Sequence, residues 1–186
     1  MRNKETKIII AGFGGQGVVL TGNVIARAAV IEGKNITGMV SYGVEMRGGT
    51  ANASVIVSDG EIASPFVEYP NAAIILNHPS LDKFEPVLAE NCDLVINTSM
   101  IHRCVERHDI NVGCIDASNI ARESIGNSKV ANIVALGAFI KETELFTPES
   151  IEQAIKDLFA KKKPELAEIN IKAFRVGIEA LTKACV

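Results

Sequence analysis

No basic stripe runs through this chain: 19 lysines and arginines stand against 22 acidic residues, a net charge of −3. Neutralising phosphates requires clustered Lys and Arg, so a nucleic-acid partner is not expected. The one lysine run, Lys161-Lys162-Lys163, falls where a helix is expected to end, and cations there complement the helix dipole. No apolar run approaches the ~18 residues that span a bilayer. The opening Met1-Arg2-Asn3-Lys4-Glu5 leads straight into a strand, without the apolar stretch of a signal peptide. A cytoplasmic protein with no membrane attachment is expected.

Metal-ligand spacings are missing too. The four cysteines, at 92, 104, 114 and 185, form no C-x-x-C pair, so neither a zinc knuckle nor a ferredoxin-type cluster is encoded. Cys92 and Cys114 lie in or beside apolar runs and read as inert core thiols. Any electron carrier must be bound from outside or sit on another chain. His78, His102 and His108 share no metal-like spacing, and Ser41 and Ser99 have no His and Asp framework of a hydrolase triad. His78 follows the end of a strand, where a solvent-facing or capping role is the plainer reading.

What is present is an alternation of strands and helices over 186 residues, 47% of them apolar. The pattern predicts one domain, 1–186, of α/β class: a Rossmann-like three-layer fold on a mainly parallel sheet. Lys7 to Ala11 is a nearly continuous apolar run, as for a strand covered on both faces. Val18 to Glu32 reads as a helix ended by Gly33. Further strands are expected at Asn35 to Val40, Ala51 to Ser58, Ala72 to Asn77, Asp93 to Asn97 and Val112 to Asp116, with a short returning strand at Glu61 to Ala63. Helices are expected after Ser80 as N-cap, at Lys129 to Thr143, at Pro148 to Ala160 capped by Thr147, and at Glu165 to Ala184.

Between the first strand and helix, Gly12, Gly14 and Gly17 spell G-x-G-x-x-G. Such a turn can hold an anion on its amides, or let another backbone come close. A NAD site also wants a carboxylate near the end of the second strand. That strand ends Gly38-Met39-Val40-Ser41, and Glu32 lies before it. The turn therefore reads more readily as a packing surface than as a dinucleotide cradle. In "SYGVEMRGGT", Arg47 has two readings: a bidentate clamp on a carboxylate or phosphate, or an ion pair with Glu45 or a partner-chain carboxylate. Gly48 and Gly49 allow close backbone approach or form an ordinary turn. Tyr42 reads as an interface anchor or core packing. Gln16 reads as a bond to a partner or a brace of its own loop. Met39 and Met46 read as interface gap-fillers or core filler.

"GFGGQGVVLTG" at 12–22 and "SYGVEMRGGTANASVIVSD" at 41–59 together resemble the gamma subunit of the 2-oxoacid:ferredoxin oxidoreductases. "EIASPFVEYPNAAIIL" continues the similarity, as do, more weakly, "NIVALGAF" and "INIKAFRVGIEAL". The resemblance implies an accessory, non-catalytic subunit in a complex that oxidatively decarboxylates a 2-oxoacid to an acyl-coenzyme A. It implies alpha, beta and delta partner subunits carrying thiamine diphosphate and iron–sulfur clusters, with ferredoxin served through the complex and no cofactor bound by this chain alone. Residues expected to dock or to complete the active site are Gly12, Gly14, Gly15, Gln16, Gly17, Ser41, Tyr42, Gly43, Glu45, Arg47, Gly48 and Gly49. Ser41-Tyr42-Gly43 and Arg47-Gly48-Gly49 favour a 2-oxoglutarate or branched-chain enzyme over the pyruvate type. Two alternatives stay open: a stand-alone dinucleotide-binding oxidoreductase, and the small subunit of an indolepyruvate oxidoreductase. The isolated chain can also form a homodimer.

Overall fold

The computed structural model describes residues 5–42, 50–159 and 164–183. A seven-stranded sheet is built from β1 (Glu5–Phe13), β2 (Asn35–Tyr42), β3 (Thr50–Ser58), β4 (Ala72–Ile75), β5 (Asp93–Asn97), β6 (Asn111–Ile115) and β7 (Thr182–Lys183), in the spatial order β2-β3-β1-β4-β5-β6-β7. β1, β4, β5 and β6 are mutually parallel. β3 runs against both β1 and β2, and β7 runs against β6. The expected mainly parallel sheet of an α/β domain is present, with helices on one face and a thinner cover on the other.

The helices are α1 (Val18–Ile31), α2 (His78–Phe84), α3 (Ala117–Glu123), α4 (Ala131–Thr143), α5 (Pro148–Phe159) and α6 (Pro164–Ala180). β1 shows why its sequence is apolar without a break. Ile8 and Ile10 join the core beneath α1, α4, α5 and α6, whereas Ile9 and Ala11 join a second core beneath α2. On one face of β3, Ala53, Val55 and Val57 enter the first core; on the other, Asn52 and Ser54 are half-buried and Ile56 and Ser58 are buried. Burial of the Cys92 thiol, with Asp93 adding to the effect, pushes its pKa up to about 12, which agrees with an inert core role.

Three local expectations are corrected. Glu61 to Ala63 is not a strand but part of the irregular connector leading to β4. The N-cap of α2 is Asn77, whose side chain accepts from the Ser80 N–H at 3.0 Å, with His78 and Pro79 opening the helix. A 3-10 turn at Ser128–Val130 precedes α4, and α3 and β7 are additional elements. Thr147 does cap α5, accepting from Ser150 N–H at 3.3 Å. Glu32 accepts from the Thr147 amide at 2.8 Å and so ties α1 to the start of α5. Among the described residues no helix is long and apolar enough to cross a membrane.

α4 is the centre of the helical layer, buried without a break from Asn132 to Ile140. Two glycines let α6 lie directly on it. A Cβ on Gly177 would sit 2.0 Å from the Val134 carbonyl oxygen, and one on Gly137 would sit 2.1 Å from that of Phe174. These glycines fall inside the two weaker segments of the family resemblance. Gly177→Ala tests the crossing, because helix propensity alone would stabilise the variant by up to about 1 kcal/mol. Forced separation of the helices is expected to win, with a net loss of about 1–3 kcal/mol in urea unfolding. A stabilised variant would show that the helices do not touch there.

Candidate functional site

The carboxyl ends of the parallel strands gather at one edge, where open α/β sheets place ligands and partners. The 12–17 turn leaves β1 at this edge and α1 follows it. Gly15 and Gly17 both need positive φ, at 97° and 78°. Gly14 and Gly15 are exposed to solvent.

The turn is closed from within. The Gln16 amide N–H donates to the Phe13 carbonyl at 3.1 Å, and its side-chain Oε1 accepts from the Phe13 N–H at 2.6 Å. The same Oε1 accepts from Asn77 Nδ2 at 3.2 Å. A Cβ on Gly12 would meet Gln16 Oε1 at 2.7 Å and Leu76 Cβ at 3.1 Å. Of the two readings of Gln16, the loop brace is the one observed. An acceptor oxygen of the protein's own thus occupies a backbone amide of the turn.

Gly17 is held by a different asparagine. Asn132, 1% exposed on the first turn of α4, donates from Nδ2 to the Gly17 carbonyl at 3.1 Å and to Thr21 Oγ1 at 3.0 Å. A Cβ on Gly17 would lie 2.6 Å from Asn132 Cγ, so this glycine answers both to its dihedral and to its neighbour. Further along the edge, Asn97 donates to the Leu76 carbonyl at 3.3 Å and to Ser118 Oγ at 2.9 Å. Ser99 bonds to Asp116 and accepts from the Ser118 and Asn119 amides at 3.1 and 3.3 Å, bracing the start of α3. His78 lies 3.6 Å from Asp82 and is half-buried at the start of α2.

β3 lies between β1 and β2, pairing Gly12 with Ala51 and Phe13 with Thr50. In a dinucleotide fold the second strand lies beside the first. Here it is pushed one strand further out, by roughly 4.8 Å. The expected absence of a carboxylate at its end thus coincides with the wrong distance from the glycine turn.

Of the candidate residues, Gly12, Gly14, Gly15, Gln16 and Gly17 come together in the turn. Ser41 and Tyr42 are the last two residues of β2, paired with Asn52 and Ala51. Gly43, Glu45, Arg47, Gly48 and Gly49 lie outside the described residues, as does Met46. Met39 is 44% exposed, which overturns its reading as core filler. The sequence reading passed over Asn77, Asn97 and Asn132. Signals existed: an Asn placed just before His78-Pro79, and a lone amide inside the apolar run of α4.

The inner shell of this edge is Gln16, Asn77, Asn97, Asn132 and Thr21, all neutral. Amide and hydroxyl side chains orient partners, and amides exchange no protons near neutral pH. Among the described residues no group of three or more His, Cys, Asp or Glu side chains is placed to hold a metal ion.

Comparison with known proteins agrees with the resemblance. The family model for pyruvate ferredoxin/flavodoxin oxidoreductase matches residues 7–180. The 2-oxoglutarate synthase subunit KorC of Methanothermobacter marburgensis is 35% identical over 181 residues, covering 94% of this chain and 96% of that one. The ketoisovalerate oxidoreductase subunit VorA of Methanothermobacter thermautotrophicus is 33% identical over 176 residues, covering 94% of this chain but 36% of VorA. The crystal structure of the keto/oxoacid ferredoxin oxidoreductase gamma subunit from Geobacter sulfurreducens superposes with a TM-score of 0.80 at 31% identity, over 94% of this chain and 97% of that one.

Gln16→Ala removes the acceptor from both Phe13 N–H and Asn77 Nδ2. It is expected to cost about 1–3 kcal/mol in urea unfolding, whereas Gln16→Glu keeps an acceptor and most of the stability. An unchanged midpoint in the alanine variant, or a rise in the wild-type midpoint with millimolar NAD, would remove Gln16 as the closure of the turn.

Proposed function

The chain belongs to the pyruvate ferredoxin/flavodoxin oxidoreductase family, as a gamma-type subunit of a 2-oxoacid:ferredoxin oxidoreductase complex, and on that premise we propose that its complex acts on 2-oxoglutarate. In that reaction the carboxyl group leaves as carbon dioxide and the acyl carbon forms a thioester bond to coenzyme A. Two electrons pass to ferredoxin and the thiol proton is released. Thiamine diphosphate between alpha and beta chains supplies the electron sink for decarboxylation, and iron–sulfur clusters on beta or delta chains carry the electrons. The complex works in the cytoplasm.

The role of this chain is to dock and to shape. The 12–17 turn and the 41–49 stretch complete or shield the active site made by the partner subunits. The observation that carries this reading is the self-braced turn: Gln16 Oε1 accepts from the Phe13 amide and from Asn77, while Gly14 and Gly15 present bare backbone to the outside. The neutral amides behind it suit a rigid rim. Preference for 2-oxoglutarate is supported by the Ser41-Tyr42-Gly43 and Arg47-Gly48-Gly49 pattern and by the KorC similarity.

Co-expression of this chain with its sister subunits tests the assignment. A complex containing all of them is expected, with kcat/KM for 2-oxoglutarate about tenfold or more above that for pyruvate or 2-oxoisovalerate. A chain purified natively without partners would count against the subunit role, and a preference for 2-oxoisovalerate or indolepyruvate would reassign the substrate. Arg47→Ala is expected to lower turnover or coenzyme A affinity while the complex stays assembled. Loss of assembly would make Arg47 an interface brace instead.

A further inference from the structure

The two ends of the sheet are finished very differently. β7 is two residues long and carries Lys183, and short or charged edge strands keep unpaired backbone from templating a foreign strand. β2, at the other end, is eight residues long and contains no charged residue and no proline. Among the described residues its only strand partner is β3, so no described strand pairs with its outer edge of N–H and C=O groups.

The side chains beside this edge are exposed and apolar. Met39 and Val40 of β2 are 44% and 47% accessible, and Phe66 and Tyr69 of the following connector reach 64% and 66%. Met39, Val40, Asn52, Ser54, Phe66 and Glu68 are among the residues that line a hollow of about 290 Å³. The second core, which draws on β1, β4 and β5, leaves this part of the sheet uncovered.

We infer that β2 and the apolar side chains around it are the seat of the large sister subunit, which adds a strand of its own to this edge. The inference rests on the gamma-subunit reading above. Strand addition takes its affinity from main-chain hydrogen bonds and its specificity from alternate side chains. Two observations name the occupant. In VorA the matching region is 36% of a longer polypeptide, so there a region like this chain is covalently joined to a large remainder, which raises its effective concentration beside it. The patch also exposes large apolar side chains, as permanent interfaces do, with Glu68 as the charged residue of its hollow, and β2 ends at the same edge as the glycine turn. A strand added to β2 therefore leads the partner directly to the proposed site.

The test uses the full chain with Met39→Glu, Val40→Glu and Phe66→Glu, singly and combined, co-expressed with the sister subunits. Affinity for those subunits is expected to fall about 30-fold or more. Circular dichroism and the urea midpoint of the isolated chain should stay unchanged, because the three side chains are exposed. Hydrogen exchange of wild-type amides 35–42 should slow on assembly, and this readout does not depend on any variant folding. Variants that assemble with wild-type affinity, or amides 35–42 that gain no protection, would overturn the proposal. So would variants that lose only self-pairing of the isolated chain, since the edge would then belong to a second copy. Failure of the wild-type chain itself to join the complex would defeat the subunit reading and this proposal together.

Discussion

β3 lies against β1 over their whole length, from Glu5 opposite Ser58 to Phe13 opposite Thr50, and the backbone ladder between them decides much of the rest. It takes the place a parallel second strand would have in a dinucleotide fold, and β2 is left as the outermost strand. The connection between β2 and β3 is thereby brought to the same sheet edge as the glycine turn. β2 still runs in the direction of β1, reached through the α1 crossover, so its end and the start of β3 lie at the carboxyl edge beside Gly12 and Phe13.

The chemistry of the rim follows from that placement. A strand-to-helix turn leaves amides without partners, and something must satisfy them. Gln16 accepts from the Phe13 amide, while Asn132 donates to the Gly17 carbonyl, and each lies against a glycine whose missing side chain makes room for it. Once filled in this way, the turn is rigid and presents backbone rather than titratable groups. That is a suitable surface for a neighbouring polypeptide and a poor one for acid–base work. The charged residues are spent elsewhere. Glu85, buried, accepts the Arg107 amide at 3.1 Å and pairs with Arg103 at 2.7 Å to pin the segment after β5. Arg175 hydrogen-bonds Glu152 and holds its carboxyl below the ordinary range, joining α5 to α6.

Much of the fold was legible because period and punctuation are local properties. The unbroken Ile8-Ile9-Ile10 run reported a strand covered on both faces, and Thr147-Pro148 reported a helix start. The alternation of Asn52 and Ser54 with their apolar neighbours separates the two faces at the start of β3, yet alternation names a face and not a neighbour. The insertion of β3 beside β1 was therefore out of reach. The site was half legible for a similar reason. G-x-G-G-Q-G located the turn, but the oxygen filling it comes from a residue whose two roles look alike in sequence. Asn132 reaches it from more than a hundred residues away. Met39 misled because a methionine next to a loop has the composition of core and of interface alike.

The bare backbone contact between α4 and α6 has a consequence for biosynthesis. α4 is the helix buried without a break, from Asn132 to Ile140, and its outer cover is α6. While the ribosome still holds α6, the nascent chain displays α4 uncovered and cannot close its core, whatever the earlier strands have done. Release of the final turns of α6 is thus the event that commits the polypeptide. Prematurely terminated products, carrying an open greasy helix, are the forms that chaperones and proteases would meet.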